Sequence, residues 1–111
     1  MPQRCPSVNV LFERSLASLF SSLDDDNSLK ILLDNVATIL KENAHAGKKV
    51  KKQQIPKYYI VKYGIHIIYR LRIGEYRVIY TLEPVDEGTN TVVLECFTDH
   101  KSYAQRFGYT K

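Results

Sequence analysis

A pair of β-prone runs around a Gly-Glu dipeptide constrains the fold of this chain more than any other feature. Residues 65–73 (IHIIYRLRI) and 76–83 (YRVIYTLE) are rich in β-branched and aromatic residues, which favour strands. Gly74 lies between them and supplies the positive φ that a two-residue hairpin turn needs. The sequence therefore predicts an antiparallel hairpin over residues 65–83.

This hairpin gathers three arginines on one face. Side chains alternate between the two faces of a strand, and cross-strand partners share a face. Around a two-residue turn, Arg72 lies opposite Arg77 and Arg70 lies opposite Ile79. We expect this arginine face to be exposed. The other face is apolar and predicts a surface on which helices pack; it carries Ile65, Ile67, Tyr69, Leu71, Ile73, Tyr76, Val78, Tyr80 and Leu82.

The arginine cluster requires compensation, because like charges directly opposite each other destabilise a strand pair by up to about 1 kcal/mol. Nearby carboxylates are one source: Glu95 in the next strand, or Glu75 and Glu83. A bound anion is the other, and phosphate suits the paired N–H donors of guanidinium. The sequence leaves both explanations open.

Two amphipathic helices precede the hairpin. Apolar residues at helical spacing predict the first over about 13–23 and the second from Leu29 to about Glu42, with capping oxygens offered by the run 24–28. A short strand is predicted at 8–12 and a last strand at 91–98, with a loop at 84–90. The run 58–63 (YYIVKY) is either a strand or the approach to the next strand.

The order β-α-α-β-β-β predicts an α+β fold in which the N-terminal strand and the helical hairpin pack on one face of a mainly antiparallel four-stranded sheet. A C-terminal helical turn is expected, with Asp99 as its cap and Gly108 ending it. The length of 111 residues suits one domain over 1–111, with loosely ordered ends at 1–7 and 105–111.

Composition favours an anionic partner, because sixteen Lys and Arg against twelve Asp and Glu give a net charge of +4. Residues 44–57 form a basic loop, read either as a solvated loop or as an arm that meets phosphates. Cys5 and Cys96 predict free thiols in a reducing cytoplasm. With no signal-type or membrane-spanning run, we expect a cytoplasmic protein. No metal-ligand spacing is present, so no metal or other cofactor is predicted.

The block YRLRIGEYRVIY (69–80) resembles the signature hairpin of the RelE/ParE superfamily of bacterial and archaeal toxins. Members show a tyrosine followed by alternating basic residues, a turn, and a Tyr-Arg pair that leads into an apolar strand. The element order and the basic segment AGKKVK (46–51) also agree with this family. The resemblance covers residues from about 8 to 104, and its helices are not specific.

The resemblance implies a toxin of a type II toxin–antitoxin system. Many relatives are ribosome-dependent mRNA endonucleases in which the RNA 2′-hydroxyl attacks the adjacent phosphorus without a metal, leaving a 2′,3′-cyclic phosphate and a 5′-hydroxyl. Carried over, Arg70 and Arg72 match basic positions of the first hairpin strand, and Arg77 would hold the scissile phosphate. Guanidinium stays protonated at neutral pH, so its role is electrostatic.

The segment TDHKSY (98–103) resembles the Thr-His-x-x-Tyr of HigB-like members, with Asp99 inserted between Thr and His. RelE itself has an arginine here and its tyrosine further on, so the tail departs from that enzyme. The resemblance implies His100 as general acid or base, since imidazole exchanges protons near neutral pH. It implies Tyr103 as a base or as a base-stacking group.

Ribosome, mRNA and a cognate antitoxin with an acidic or amphipathic segment are the implied partners, the last forming a hetero-oligomer with this chain. The residues expected to contact RNA are Lys48, Lys49, Lys51, Lys52, Lys101 and Arg106. Two other functions remain open. One is a ParE-like toxin that poisons DNA gyrase, and the other is a non-catalytic RNA- or protein-binding module of the same fold.

Overall fold

The computed structural model describes residues 7–85 and 88–108. These residues form five strands and four α-helices, with a short 3₁₀ helix at Lys52–Gln54. The strands are β1 (Ser7–Phe12), β2 (Lys48–Lys49), β3 (Tyr69–Ile73), β4 (Tyr76–Val85) and β5 (Gly88–Phe97). The helices are α1 (Arg14–Ser22), α2 (Ser28–Glu42), α3 (Lys57–Tyr63) and α4 (His100–Phe107).

The strands form one sheet in the order β1-β5-β4-β3-β2. β1 runs parallel to β5, and the other neighbours are antiparallel. The predicted α+β fold with a mainly antiparallel sheet is confirmed. Five strands replace the expected four because Lys48 and Lys49, in the predicted basic loop, pair with β3 as the two-residue strand β2.

Side-chain caps set the beginnings of the two N-terminal helices. The Glu13 carboxylate accepts hydrogen bonds from the backbone N–H groups of Ser15 and Leu16, and the Asn27 side chain accepts one from Leu29. Both helices pack on the predicted apolar face between Tyr69 and Leu82. The prediction was wrong for Ile67, which is 47% exposed, and for Ile65, which packs on the opposite side of the sheet, because both residues precede β3. We call the resulting cluster the first core: Leu16, Leu32, Leu33, Val36, Leu40, Leu71, Val78, Tyr80 and Val93.

The opposite face of the sheet is covered in part, so the expectation that it is exposed was wrong for its buried positions, although Arg72 is exposed. Ile68 and Ile79 lie on this face and have no exposed surface. Val50 and Ile55, which lie on either side of the 3₁₀ helix, and apolar side chains of α3 and α4 cover them, because these side chains have no other surface on which to pack. We call this cluster the second core: Val50, Ile55, Tyr59, Ile68, Ile79, Leu94, Phe97, Tyr103 and Phe107.

Residues 58–63, read from sequence as a strand or the approach to one, lie in the helix α3. Pro56 precedes the helix as its N-cap residue, and Gly64 ends it with a left-handed φ of 67°. Tyr59 is fully buried and Tyr63, one turn further on, packs against the second core. This burial overrides the β preference of the run, which is a weak determinant by itself.

Three further boundaries differ from the sequence-based expectation. β3 begins at Tyr69 rather than at residue 65, because residues 64–68 connect the end of α3 to the sheet and form no strand. β4 and β5 extend into the predicted loop 84–90, of which residues 86–87 lie outside the described residues. The ends were expected to be loose over 1–7 and 105–111, yet Ser7 begins β1 and residues 105–107 belong to α4. Residues 1–6 and 109–111 lie outside the described residues.

Two remaining expectations meet the structure in part. Within the described ranges, no helix combines the length and the apolar character that a membrane span requires. Cys96 is a free thiol whose pKa is raised to about 11 by burial, while Cys5 lies outside the described residues.

A buried tyrosine fastens the segment before β2 to the first core. Tyr80 has no exposed surface, and its hydroxyl donates to the Ala44 carbonyl oxygen at 3.0 Å. The same hydroxyl accepts from the Gly47 N–H at 2.8 Å. Burial raises the pKa of Tyr80, which keeps the phenol proton available for donation. A Cβ at position 47 would lie 2.8 Å from the Tyr80 ring and hydroxyl, so only glycine fits this approach.

Tyr80→Phe is expected to lower the free energy of unfolding by about 1–3 kcal/mol, because it leaves the Gly47 N–H and the Ala44 carbonyl without a partner. Urea denaturation of both proteins measures this difference. Tyr76→Phe is the matched control, since among the described residues the Tyr76 hydroxyl makes no hydrogen bond. Equal stability of the Tyr80→Phe and wild-type proteins would contradict the fastening role.

Candidate functional site

The hairpin has the predicted register. Arg72 pairs with Arg77, and Arg70 pairs with Ile79. Gly74 has a φ of 59°, as the two-residue turn requires. The three arginines therefore lie on the same face of the sheet, beside the second core rather than on an open surface.

A cleft of about 560 Å³ opens on this face. Its walls contain all five side chains that the sequence analysis singled out for chemistry, together with a lysine from β2. The lining residues are Ala46, Gly47, Lys48, Arg70, Leu71, Arg72, Arg77, His100 and Tyr103. No carboxylate belongs to this set of described residues. The cleft is therefore strongly cationic.

The helix α4 brings the histidine and the tyrosine to the arginines. Asp99 caps it, accepting a 2.7 Å bond from the Ser102 N–H, and this bond holds the pKa of Asp99 below its usual value. His100 is the first residue of the helix and is exposed. Tyr103 follows about one turn later, so both side chains reach the same cleft.

Tyr103 contacts two of the arginines. Arg70 Nη1 donates a 2.6 Å hydrogen bond to the Tyr103 hydroxyl oxygen. The guanidinium carbons of Arg70 and Arg77 lie 5.9 and 5.8 Å from the centre of the Tyr103 ring. The side chain is only 3% exposed, and its ring packs 4.8 Å from that of Phe107. This burial disfavours the base-stacking role, which needs an open ring face, and leaves the hydroxyl edge at the cleft.

Two of the three carboxylates proposed to neutralise the arginine face, Glu95 and Glu83, are engaged elsewhere. Glu95 accepts two hydrogen bonds from Arg106 and one from the Tyr59 hydroxyl. Glu83 accepts a bond from Asn90. Among the described residues, none of the three hairpin arginines forms an ion pair with a carboxylate.

Arg72 and Arg77, the two arginines nearest the turn, donate hydrogen bonds to backbone carbonyl oxygens instead. Arg77 Nη1 donates to the carbonyl oxygens of Gly74 and Tyr76 at 3.3 and 3.2 Å. Arg72 Nε donates to the Gly74 oxygen at 3.4 Å. These bonds satisfy part of each guanidinium but leave its positive charge uncompensated by any described acid.

The structure separates the six residues expected to contact RNA. Lys48 lines the cleft because its cross-strand partner is Arg70. Lys49 pairs with Tyr69 and so lies on the other face. The exposed Lys51 and Lys52 lie at the 3₁₀ helix, outside the cleft. Lys101 is exposed on α4, also outside the cleft, and Arg106 is held by Glu95.

Sequence reasoning missed the parts of the site that depend on close packing. Ala46 and Gly47 form a wall of the cleft, and no periodic pattern marks them. Tyr59 was read as part of an extended segment, and its bond to Glu95 depends on α3 folding over the sheet. The basic segment 46–51 was the one signal that pointed toward this wall.

No protein-family model, no curated protein and no solved structure matches this chain.

Proposed function

We propose that this chain is the RelE-like toxin of a type II toxin–antitoxin system and cleaves mRNA on the ribosome. The single observation that carries the proposal is the cleft in which Arg70, Arg72 and Arg77 meet His100 and Tyr103 with no lining carboxylate among the described residues. Such a cleft combines phosphate binding with a group that can transfer protons.

The charge distribution along the chain supports an extended polyanionic substrate. Residues 43–74 carry eight of the sixteen Lys and Arg residues and none of the twelve Asp and Glu residues. The rest of the chain is therefore net negative. Concentrating positive charge in the segment that contains β2, α3 and β3 favours association with a nucleic acid, and Lys48, Arg70 and Arg72 of this segment line the cleft.

These side chains are suited to the cleavage step that we propose. The 2′-oxygen of the RNA attacks the adjacent phosphorus and loses its proton, while the bond from phosphorus to the 5′-oxygen breaks and that oxygen gains a proton. Arg77 and Arg72, paired across the hairpin, bind the non-bridging oxygens and stabilise the added negative charge of the pentavalent intermediate.

Proton transfer falls to the α4 side of the cleft. His100 is an exposed residue of the cleft lining and serves as general acid or base. The Tyr103 hydroxyl is the second candidate, and its bond to Arg70 fixes its position. Holding the reacting oxygen, phosphorus and leaving group in line contributes to the rate because it removes the entropy cost of orientation.

The remaining partners belong to the same proposal. Lys51 and Lys52 are exposed outside the cleft and would contact ribosomal RNA. A cognate antitoxin with an acidic or amphipathic segment would cover the basic surface, and its association would weaken as salt rises. This function places the chain in the cytoplasm with the ribosomes.

Primer extension on mRNA from translating ribosomes tests the proposal. We expect new 5′ ends within the coding region, with a 5′-hydroxyl and a 2′,3′-cyclic phosphate as the two product ends. Intact mRNA together with gyrase-dependent DNA breaks would instead show the ParE-like activity. Intact mRNA, intact DNA and normal growth without antitoxin would show a non-catalytic binding module.

A further inference from the structure

A β-bulge turns Glu95 toward the second core. Along the β4–β5 ladder, Ile79 pairs with Glu95 while the next residue, Tyr80, pairs with Val93. Leu94 is therefore an extra residue, and it packs in the second core. Because one residue is inserted, Leu94 and Glu95 both project from the same side of the sheet. Strict alternation would have aimed the Glu95 carboxylate at the first core instead.

On this side the carboxylate joins two helices. Arg106 of α4 donates from Nε and Nη2 to the two Glu95 oxygens at 3.1 and 3.0 Å, a bidentate ion pair. Tyr59 of α3 donates its hydroxyl proton to Glu95 Oε1 at 2.5 Å. The Arg106 guanidinium also lies 3.6 Å from the centre of the Tyr58 ring. We call the group of Tyr59, Glu95 and Arg106 the Glu95 bridge.

The side chains of the Glu95 bridge are partly buried, and its two donors remain protonated at neutral pH, so the contact can persist. The side chains of Arg106 and Glu95 are 30% and 21% exposed, so water screens the pair only partly. The hydrogen bond to Glu95 raises the pKa of Arg106. Burial is the largest cause that raises the pKa of Tyr59, and the hydrogen bond to Glu95 is the second. Arg106 therefore stays charged and Tyr59 stays a donor throughout the neutral range.

The helix α4 depends on such contacts for its position. It has eight residues, and an isolated helix of that length is not stable in water. Its inner face packs through Tyr103 and Phe107, which fix its distance from the sheet. Arg106, at the C-terminal end, joins the helix to β5 through hydrogen bonds of fixed direction. His100 and Tyr103 lie on the same short helix, so its orientation sets where both reach the cleft.

We propose that Tyr59, Glu95 and Arg106 are positioning residues, which orient α4 so that His100 and Tyr103 meet the phosphate held by the hairpin arginines. This inference rests on the proposed function. It assigns Arg106 to the support of the site rather than to RNA contact. It also separates two tasks by element: β3 and β4 bind the RNA, and α4 carries the proton transfer.

Arg106→Ala tests the assignment in steady-state cleavage of mRNA on translating ribosomes. We expect kcat to fall by about 10- to 100-fold, since a misplacement of about 1 Å has an effect of that order. KM should stay within about twofold of the wild-type value, because the phosphate-binding arginines are on other elements. Arg106→Lys keeps the charge but not the bidentate geometry, so its kcat should lie between that of the wild-type protein and that of Arg106→Ala.

Three further variants make the test specific. Tyr59→Phe removes only the hydroxyl that donates to Glu95, keeps the buried ring, and should lower kcat in the same sense. Combining Glu95→Gln with Arg106→Ala should be no worse than the more damaging single change, since both act through one contact. Gln105→Ala, an exposed change on the same helix, is the matched control and should leave kcat unchanged.

The outcomes are distinct. Wild-type kcat in Arg106→Ala would overturn the assignment, and so would a raised KM with unchanged kcat, which would make Arg106 an RNA contact. If the wild-type protein cleaves no RNA, the proposed function fails. Amide hydrogen exchange then tests the Glu95 bridge independently of activity. Faster exchange of the α4 amides in Arg106→Ala, with β3–β5 unchanged, would then support anchoring by the bridge. Unchanged α4 exchange would overturn it.

Discussion

Replacing Arg77 with alanine is expected to lower the rate of mRNA cleavage by about 100- to 1,000-fold, the effect typical of removing one preorganised donor from a developing oxyanion. Arg77 lies opposite Arg72 at the cleft, and its guanidinium has no carboxylate partner among the described residues. Its own bonds go to the Gly74 and Tyr76 carbonyl oxygens near the turn. The substitution therefore removes phosphate binding without leaving a buried charge behind, and the fold should persist.

Single-turnover cleavage on translating ribosomes measures this effect, with circular dichroism and thermal unfolding as the check on folding. Arg14→Ala is the matched control, since it removes an exposed arginine at the start of α1. Arg77→Lys should retain part of the rate, because ammonium supplies the charge but not two parallel N–H donors. Wild-type rates in a folded Arg77→Ala protein would remove this arginine from the proposed chemistry.

Replacing Ile79 with alanine is expected to lower the free energy of unfolding by about 2–5 kcal/mol, a large share of the total stability of a small domain. Ile79 is fully buried on the arginine face, where α3 and α4 cover the sheet. The smaller side chain leaves a cavity that the rigid strands β3–β5 cannot close. An exposed arginine face, as the sequence pattern alone suggests, would make the same change nearly neutral.

Urea denaturation monitored by circular dichroism measures the change in stability. Ile67→Ala is the matched control, because that isoleucine is 47% exposed and should contribute a small fraction of the same energy. Equal losses at the two positions would contradict the second core. Loss of cleavage in Ile79→Ala is also expected, since α4 packs on this core with its histidine and tyrosine.

The hairpin is the part of the fold that the local sequence pattern predicted in most detail. Alternation around Gly74 predicted both the pairing of Arg72 with Arg77 and the face that carries the first core, because strand geometry has a period of two that needs no tertiary information. The short C-terminal helix with Asp99 and Gly108 at its ends was predicted for a similar reason, since caps act through neighbouring backbone groups.

Elements whose state depends on distant partners were not predictable in this way. Residues 58–63 have a β-prone composition and form a helix, because Tyr59 is buried against the second core. Two lysines in a polar segment form β2 only because β3 offers a free edge. Glu95 was one of several possible partners for the arginines, and the bulge at Leu94 directs it to Arg106 instead.

By itself, the sequence determined the α+β class, the register of the hairpin and the shared face of its three arginines, since each depends on local geometry and on hydrophobic period. The tertiary structure decided that this face is half covered, that α4 brings His100 and Tyr103 to it, and that Glu95 serves Arg106 rather than the cleft. The physical reason is that burial and charge pairing depend on which surfaces meet. These tertiary contacts join residues that are far apart in the chain, so no local sequence pattern encodes them.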